Sequence, residues 1–263
     1  ILEYPMLPCV AAYDDIQKGF EKYFDASVYS FGAAKVVCQR EKWFLCIPVT
    51  FTVNELQNMD VTNVVGHDRG LRFFVTSYDS SGNTYFYSGK QAARKRAHYK
   101  QLRREFQQRK TPSARRRLKV IGQRENRWMQ DVNHCISKAL VANAPKGTLH
   151  VLEDLSGIRA VTEKVKTKRR YVMVSWSYYD LEQKLMYKAL EHGQKVIKVS
   201  AKYTSQTCPK CGHVAKNNRN KRKHLFCCEN CGYQSNDDRI GAMNLYRKGI
   251  EYLVESQVRS ACL

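Results

Sequence analysis

The sequence predicts an α/β protein built on a mixed β-sheet, with a long helical hairpin and a small metal-binding ribbon. Short apolar segments with strand character recur between residues 35 and 200, and several of them end in an acidic residue. Residues 90–144 form one long basic stretch, and apolar residues recur at helical spacing in its second half. Four cysteines near the end of the chain form two Cys-x-x-Cys pairs. Strands that alternate with helical segments are typical of α/β folds.

The composition narrows the class of protein. A chain of 263 residues with 43% hydrophobic content can form one good core and a small second unit. Lysine and arginine outnumber the acids by 45 to 24, and this net charge of +21 favours a polyanionic partner. No apolar run reaches the roughly 18 residues that cross a bilayer, so nucleic acid is favoured over a membrane. The cysteines outside the two pairs show no disulfide framework, which predicts reduced thiols in a cytoplasmic protein. With a nucleic-acid partner, we expect this protein to be nucleoid-associated.

The first 60 residues predict the end of a β-rich unit that starts upstream. Residues 35–38 and 43–51 have the character of two hairpin strands, and residues 14–23 are weakly helical. Two strands and one helix do not form an independent core. The chain begins with Ile1 rather than methionine, so we expect it to be a fragment of a longer protein or a processed product.

From residue 61 the pattern predicts a β-meander. Residues 63–68 form a short apolar strand that ends in Asp68, and residues 72–78 and 84–87 form two further strands around a turn. A charge at the end of an apolar strand is unusual, but a turn residue would look the same. Position alone therefore leaves the role of Asp68 open.

Residues 90–144 predict a basic helical hairpin. A break at Thr111-Pro112-Ser113 separates its arms, and Ser113 is a candidate cap of the second arm. Few acids neutralise the arginines, which favours a surface that contacts a phosphate backbone over a merely solvated face. The candidate nucleic-acid contacts are Arg94, Arg96, Arg103, Arg104, Arg115, Arg116, Arg124 and Arg127.

Residues 149–155 form another strand that ends in acids. Strand alternation places Glu153 and Asp154 on opposite faces, so only one of them can share a site with Asp68. Periodicity does not say which. Residues 175–192 then predict a helix capped by serine, and residues 195–200 predict a further strand.

The most specific motif is the pair of knuckles Cys208-Pro-Lys-Cys211 and Cys228-Glu-Asn-Cys231, which are separated by sixteen residues. A two-residue gap lets both thiolates of a knuckle bind one Zn²⁺, and two knuckles complete the tetrahedral cage of a structural site. Four unrelated or disulfide-bonded cysteines would not explain this spacing. Cys227 could ligate in place of Cys228, but only Cys228 keeps the two-residue gap to Cys231.

The segment after the second knuckle opens a helix that continues to about residue 258. Its first turn carries Asp237 and Asp238, and acids there are ordinary complements of the helix dipole. Asp238 becomes a candidate site residue only if other acids of the chain are placed to meet it.

The acids follow the element order of an RNase H-like domain, in which three carboxylates from two strands and one helix converge on divalent metal. Four motifs make the resemblance more specific, and they occur in the expected order with the knuckles directly before the last acid. They resemble the TnpB-type transposon nucleases and the miniature type V CRISPR effectors over about residues 30–250. The motifs are Gly66-His67-Asp68-Arg69-Gly70, Val151-Leu152-Glu153-Asp154-Leu155, the stretch from Tyr203 to Gly212, and Asp238-Arg239-Ile240-Gly241-Ala242-Met243-Asn244.

The resemblance implies a division of the chain into four parts. Residues 1–60 would be the end of a wedge-like β region, a remnant of an upstream β-barrel. Residues 61–200 and 236–263 would form a RuvC-like nuclease domain, and residues 201–235 an inserted zinc-ribbon module that binds the target nucleic acid.

The resemblance also implies the site residues. Asp68, Glu153 and Asp238 would be the catalytic acids that bind Mg²⁺ or Mn²⁺, which selects Glu153 over Asp154 and Asp238 over Asp237. The chain departs from the family pattern at two positions: His67 replaces a commonly apolar residue, and Ile240 replaces a frequent asparagine. The implied Zn²⁺ ligands are Cys208, Cys211, Cys228 and Cys231.

The implied function is RNA-guided cleavage of DNA, with a guide RNA and target DNA as partners. Carboxylates are the ligands that Mg²⁺ prefers, and a pair of such ions supports phosphodiester hydrolysis. One alternative is an RNA-guided DNA-binding protein with weak or no cleavage, which the departures at His67 and Ile240 keep open. Another is a guide-independent RNase H-like nuclease such as a junction resolvase, which the embedded ribbon disfavours. A purely structural zinc-ribbon protein would leave the ordered acids unexplained. The sequence predicts no oligomeric state.

Overall fold

The computed structural model describes residues 3–5, 29–39, 42–51, 60–155 and 178–261. The chain forms two compact units, Ile1–Asn58 and Met59–Leu263. The helix expected at residues 14–23 and the serine cap expected at the start of the helix over residues 175–192 lie outside the described residues.

The first unit contains short antiparallel strands. In one sheet β4 lies between β1 and β3, and β2 pairs with β5 in another. The expected hairpin is present, but its second strand is divided after Cys46, where Pro48 lacks the N–H that a continuous ladder needs. The strands are β1 (Glu3–Pro5), β2 (Tyr29–Phe31), β3 (Lys35–Gln39), β4 (Lys42–Cys46) and β5 (Val49–Phe51).

The second unit is built on a five-stranded mixed sheet, as the sequence predicted. Its strands are β6 (Asn63–Asp68), β7 (Phe73–Asp79), β8 (Thr84–Ser88), β9 (Thr148–Asp154) and β10 (Lys195–Ser200). Their order is β10-β9-β6-β7-β8, with β6 at the centre. The meander β6-β7-β8 is antiparallel, whereas β9 is parallel to both β6 and β10. The carboxyl ends of β6 and β9 therefore lie side by side at the same end of the sheet.

Helices cover both faces of this sheet. They are α1 (Lys90–Arg109), α2 (Pro112–Ala142), α3 (Tyr178–Glu191) and α4 (Asp237–Ala261). On one face, Leu140 of α2 and Leu181 of α3 pack in a buried cluster with Leu152 of β9. On the other face, Leu245 of α4 packs against Val151 of β9 and neighbouring strand residues. The helical hairpin is confirmed, but the cap of its second arm is Thr111, whose hydroxyl accepts a hydrogen bond from the N–H of Ala114, and not Ser113.

Helix α4 crosses β6 at very short range because position 66 is glycine. A Cβ atom on Gly66 would lie 2.3 Å from the carbonyl oxygen of Ala242 and 2.4 Å from the backbone nitrogen of Tyr246. Both of those atoms belong to the helix backbone, so no side-chain movement could make room. This contact fixes the start of α4 over the end of the central strand.

A small antiparallel ribbon precedes α4. Its strands are β11 (Arg219–Asn220), β12 (Leu225–Cys227) and β13 (Gln234–Asn236). Phe226 of β12 and Ile240 of α4 are fully buried together with Cys208 and Cys228, so the ribbon and the helix share one core. Within the described parts of the chain, every helix is too short or too polar to cross a bilayer.

Candidate active site

The structure brings Asp68, Glu153 and Asp238 together at the end of the sheet where β6 and β9 terminate. Asp68 ends β6, Glu153 is the penultimate residue of β9, and Asp238 lies in the first turn of α4. Burial raises the pKa of Asp68 well above its usual value, and the charges of Glu153 and Asp238 raise it further. The three carboxylates therefore share one electrostatic environment.

Glu153 lies on the same sheet face as Asp68. Val151, two residues before Glu153 on β9, packs on the α4 side, whereas the adjacent Leu152 packs on the side of α2 and α3. Because side chains alternate along a strand, Glu153 faces α4 and Asp154 faces away. The contact between Asp68 and Gly241 of α4 shows that Asp68 also faces this helix, since a Cβ on Gly241 would lie 2.8 Å from the Asp68 carboxylate.

Glu153 is held by two neighbours that the sequence reasoning did not single out. The hydroxyl of Thr204 donates to Oε1 of Glu153 over 2.8 Å. The buried guanidinium of Arg69 donates to the backbone oxygen of Glu153 and forms an ion pair with Glu182 of α3 at 3.2 Å. Burial raises the pKa of Glu153, and the hydrogen bond from Thr204 and the charge of Arg69 oppose that rise. Both residues lie inside motifs that carry the family resemblance, which was the available signal.

The two adjacent acids of α4 have different surroundings. Asp237 is buried and forms an ion pair with Arg219 at 2.9 Å, and its Oδ1 lies 3.5 Å from Nδ1 of His224. Asp238 carries a buried Oδ2 atom that has no hydrogen-bond partner. Burial raises the pKa of Asp238, and the charge of Asp237 raises it further. A buried acceptor oxygen without a hydrogen-bond partner fits a cation ligand, and both acids carry one, Oδ1 in Asp237 and Oδ2 in Asp238. Asp237 differs in that its Oδ2 is paired with Arg219. Ligand atoms of Asp237, Asp238 and His224 lie within 4.8 Å of one another.

The four knuckle cysteines converge as the sequence predicted. Their sulfur atoms all lie within 4.8 Å of one another, and Cys227 is not in the group. The N–H groups of Gly212 and Gly232 each donate over 2.9 Å to the carbonyl oxygen of the first cysteine of their own knuckle, and both glycines have positive φ. The two turns are therefore built alike, as in a closed structural zinc site.

The electrostatics of the cysteines also fit a cation. The backbone N–H of His213 lowers the pKa of Cys211 to about 6. The backbone N–H of Tyr233 lowers the pKa of Cys231, but desolvation and the other three thiols outweigh it and raise that pKa to about 12. Four thiols this close cannot all ionise without a positive charge among them.

His67 forms part of a buried hydrogen-bonded chain behind the acids. Its Nδ1 lies 2.8 Å from the Ser77 hydroxyl and its Nε2 lies 2.8 Å from Nδ1 of His150. His150 in turn lies 2.9 Å from Gln194, whose amide donates to carbonyl oxygens at the end of α2. Burial lowers the pKa of His67 well below its usual value and lowers the pKa of His150 to about 4. His67, which stands where the family commonly has an apolar residue, therefore has hydrogen-bond partners for both of its ring nitrogens. The rings of His67 and His150 are both neutral near pH 7.

Ile240 has a clear packing role. It is fully buried in the core that α4 shares with the ribbon. One helical turn later, the side-chain amide of Asn244 donates to the backbone oxygens of Thr204 and Thr207 over 2.7 and 2.8 Å. These contacts tie α4 to the segment that carries Thr204 and the first knuckle.

The arginines of the helical hairpin fall into two groups. Arg96 is 4% exposed and lies against Met129, and Arg103 forms an ion pair with Glu125 of α2. These two therefore serve the packing of α1 against α2. The other candidates are exposed, and their contact with nucleic acid stays a prediction: Arg94, Arg104, Arg115, Arg116, Arg124 and Arg127.

The sheet order, the three convergent acids and the embedded four-cysteine ribbon define an RNase H-like nuclease fold with a zinc-ribbon insertion. Two family models match the chain: "Probable transposase" over residues 46–156 and "Cas12f1-like, TNB domain" over residues 178–245. The chain is related to the TnpB-type transposon nucleases and the miniature type V CRISPR effectors, as its motifs predicted.

Curated relatives agree with this relationship. The chain is 28% identical to the CRISPR-associated endodeoxyribonuclease Cas12f1 of Sulfoacidibacillus thermotolerans, over 88% of this chain and 56% of that protein. It is 32% identical to a Cas12f1 of Syntrophomonas palmitatica, over 74% of this chain and 40% of that protein. A TnpB-like protein of Methanocaldococcus jannaschii is 28% identical over 89% of this chain and 84% of its own length. The chain thus spans about half the length of the Cas12f1 relatives.

Solved structures support the fold. A cryo-EM structure of a Cas12f1-sgRNA-target DNA complex matches with a TM-score of 0.57 at 20% identity, over 81% of this chain and 55% of the matched chain. A CRISPR-Cas12f ternary complex matches with a TM-score of 0.57 at 18% identity, over 89% of this chain and 48% of the matched chain. The predicted fold class is confirmed.

Proposed function

We propose that this chain is the nuclease part of an RNA-guided DNA endonuclease, with Asp68, Glu153 and Asp238 as its metal-binding acids. The observation that carries the proposal is that three partly buried carboxylates from two strands and one helix act on one another, with a buried, unpartnered oxygen on Asp238. Relatives named as endodeoxyribonucleases support DNA as the substrate. The proposed partners are a guide RNA and target DNA.

Each acid has a distinct task in this proposal. The charges of Glu153 and Asp238 both act on Asp68, so Asp68 is the acid that would bind metal jointly with each of them. Thr204 orients the Glu153 carboxylate, and Arg69 fixes the backbone beside it. Divalent ions bound there would supply the activation of water and the stabilisation of the leaving oxygen. The raised pKa of Asp68 means that protons compete with metal at this site, so cleavage should weaken as the pH falls.

The ribbon has a structural task in the proposal. Cys208, Cys211, Cys228 and Cys231 would hold Zn²⁺, which supports the core that Ile240 completes. This ion would fix the start of α4 and hence the position of Asp238. The exposed arginines of the hairpin would neutralise phosphates.

The test uses the full-length protein expressed with its native flanking DNA. Bound RNA is sequenced, and Mg²⁺-dependent cleavage of DNA matching that RNA is measured with and without EDTA. We expect a discrete RNA and matched cutting in the wild type. Asp238→Asn should abolish cutting and spare DNA binding, whereas the matched variant Asp237→Asn should lower the melting temperature by removing the partner of Arg219.

The alternatives give different results in the same assay. Bound RNA and matched DNA binding without cutting would favour an RNA-guided binding protein. Cutting that needs no RNA would favour a guide-independent nuclease such as a junction resolvase. Cutting that survives Asp68→Ala or Glu153→Ala would remove the metal-site assignment.

A further inference from the structure

The sheet face that holds Asp68 continues outward to an exposed aromatic side chain. Asp68 is opposite Thr76 across β6 and β7, and Thr76 is opposite Phe86 across β7 and β8. Residues that face each other across antiparallel strands project to the same side. Phe86 therefore projects on the α4 side, as Asp68 does. With strands about 4.8 Å apart, its backbone lies about 10 Å from that of Asp68.

Phe86 belongs to a small cluster at the surface. Its ring centroid lies 4.8 Å from that of Phe73, and the guanidinium carbon of Arg72 lies 5.1 Å from the centroid of Phe73. Phe86 is 43% exposed, and Arg72 is exposed as well. The charge of Arg72 also acts on Asp238, so the cluster adjoins the acids. We call Arg72, Phe73 and Phe86 the aromatic shelf.

Core packing does not account for the aromatic shelf. Among the described residues, the buried cluster on this face of the sheet consists of Val64, Leu149, Val151 and Leu245, with partly buried neighbours that do not include Phe86. Strand β8 is the edge of the sheet, where the described residues pair it with β7 alone. Thr76, which lies between Asp68 and Phe86, is only 1% exposed. This face of the sheet is therefore covered at Thr76 and becomes accessible to solvent at Phe86.

We propose that the aromatic shelf stacks one nucleobase of the DNA strand whose phosphodiester lies at the three acids. This inference rests on the proposed function and adds a substrate contact to it. Exposed aromatic rings beside a cation bind single-stranded nucleic acid, and the stacking tolerates any base because every base has a π-face. Because stacked nucleotides rise about 3.4 Å each along a strand, a base about 10 Å from Asp68 belongs to a nucleotide about three positions or fewer from the cut. The shelf thereby sets which phosphodiester reaches the acids.

The experiment pairs changes in the protein with changes in the DNA. Phe86→Ala removes the ring, Phe86→Trp keeps a stacking surface, and Phe86→Leu keeps apolar bulk alone. The matched control is Tyr85→Ala, because Tyr85 is 46% exposed on the same strand but projects from the opposite face. Each variant of the full-length protein, with its RNA, is assayed on matched DNA in which nucleotides near the cut are replaced one at a time by abasic sites.

We expect Phe86→Ala to slow single-turnover cleavage by about 5- to 100-fold, as the loss of one stacked base would. Phe86→Trp should restore the rate, and Tyr85→Ala should leave it unchanged. In the wild type one abasic position should give a similar loss, and in Phe86→Ala that position should give no further loss, because ring and base act as a pair.

Several results would overturn the inference. Equal cleavage by Phe86→Ala and the wild type would do so, as would additive losses at every abasic position. Full activity of Phe86→Leu would show that bulk alone matters. A changed oligomeric state of Phe86→Ala with an unchanged abasic profile would assign the surface to a protein contact at the β8 edge. Failure of the wild type to cut matched DNA would refute the proposed function itself. The other results would refute only the proposal that the aromatic shelf stacks a nucleobase.

Discussion

Gly66→Ala is the most direct test of how the fold positions the acids. The added Cβ would lie 2.3 Å from the carbonyl oxygen of Ala242, about 1 Å less than the 3.4 Å at which ordinary contact begins. The obstructing atoms belong to the backbone of α4, so the helix must move away from β6 by about that distance. Because α4 carries Asp238 and β6 carries Asp68, the two acids would separate.

Two magnitudes follow from this displacement. Overpacking of a close backbone contact costs about 1–3 kcal/mol of the free energy of unfolding. A displacement of about 1 Å at a reacting centre costs about 100-fold in rate. We therefore expect Gly66→Ala to lower both the melting temperature and the cleavage rate, and to leave the affinity for matched DNA close to that of the wild type. Thermal unfolding, single-turnover cleavage and a binding titration measure the three quantities.

The chain offers a matched control for this substitution. Gly122 lies within α2, and a Cβ there would meet no atom within 4 Å. Gly122→Ala should therefore raise the free energy of unfolding by about 0.5–1 kcal/mol through helix propensity and leave cleavage unchanged. If Gly66→Ala does not fold, Gly241→Ala replaces it, because its Cβ meets the Asp68 carboxylate rather than backbone. Wild-type stability and cleavage in both variants would refute the reasoning.

Four other perturbations address the remaining parts of the molecule. Asp68→Asn should raise the free energy of unfolding at neutral pH in the absence of added Mg²⁺, because burial and the neighbouring acids raise the pKa of Asp68 and its ionised form destabilises the fold. The loss in the wild type develops as the pH rises from the usual pKa of an aspartate to the raised pKa, so the gain should vanish below about pH 3 in chemical denaturation. Cys208→Ser should release zinc, as measured by elemental analysis, and lower the melting temperature. The pKa of His150 is about 4, so its neutral form is needed in the fold, and lowering the pH from about 6.5 to 4 should cost the wild type up to about 3 kcal/mol that His150→Gln does not lose. Arg115→Gln should reduce the slope of log affinity against log salt by about 0.9 if it contacts one phosphate.

Matched variants separate these effects from general damage. Cys227→Ser should keep its zinc, because Cys227 lies outside the four-cysteine group. Arg96→Gln should lower stability without changing the salt slope, because Arg96 is buried between the helices. Unchanged zinc content in Cys208→Ser, or an equal salt slope in Arg115→Gln and the wild type, would contradict the corresponding assignments.

Much of the fold could be predicted because its signals are local. The apolar runs that end in Asp68 and Asp154 mark β6 and β9, and the two-residue gaps of the knuckles specify a common ion site. The order of strands in the sheet came from family resemblance, because short apolar runs do not reveal which strands pair. Ser113 failed as a cap because Thr111-Pro112 offers both a hydroxyl and a preset first helical residue.

The parts that escaped prediction depend on contacts between distant segments. Periodicity left Glu153 and Asp154 equal, and the family resemblance selected Glu153; the packing of α4 on Val151 gives the physical reason, because it places Glu153 on the α4 side. The sequence does not distinguish Arg96 and Arg103 from the exposed arginines of the hairpin. In the structure Arg96 is buried against α2, and Arg103 forms an ion pair with Glu125 of α2. The partner of His67 is 83 residues away, so no local pattern could have identified the chain of buried rings.

The shared core of the ribbon and α4 affects the order in which the site is completed during synthesis. Asp68 and Glu153 leave the ribosome well before Asp238, whose helix is held in place by Ile240 in the ribbon core and by Asn244 on the knuckle segment. A nascent chain that has not yet folded its ribbon therefore presents two acids and lacks the third. A complete set of acids therefore forms only after the ribbon and the first turn of α4 have been made.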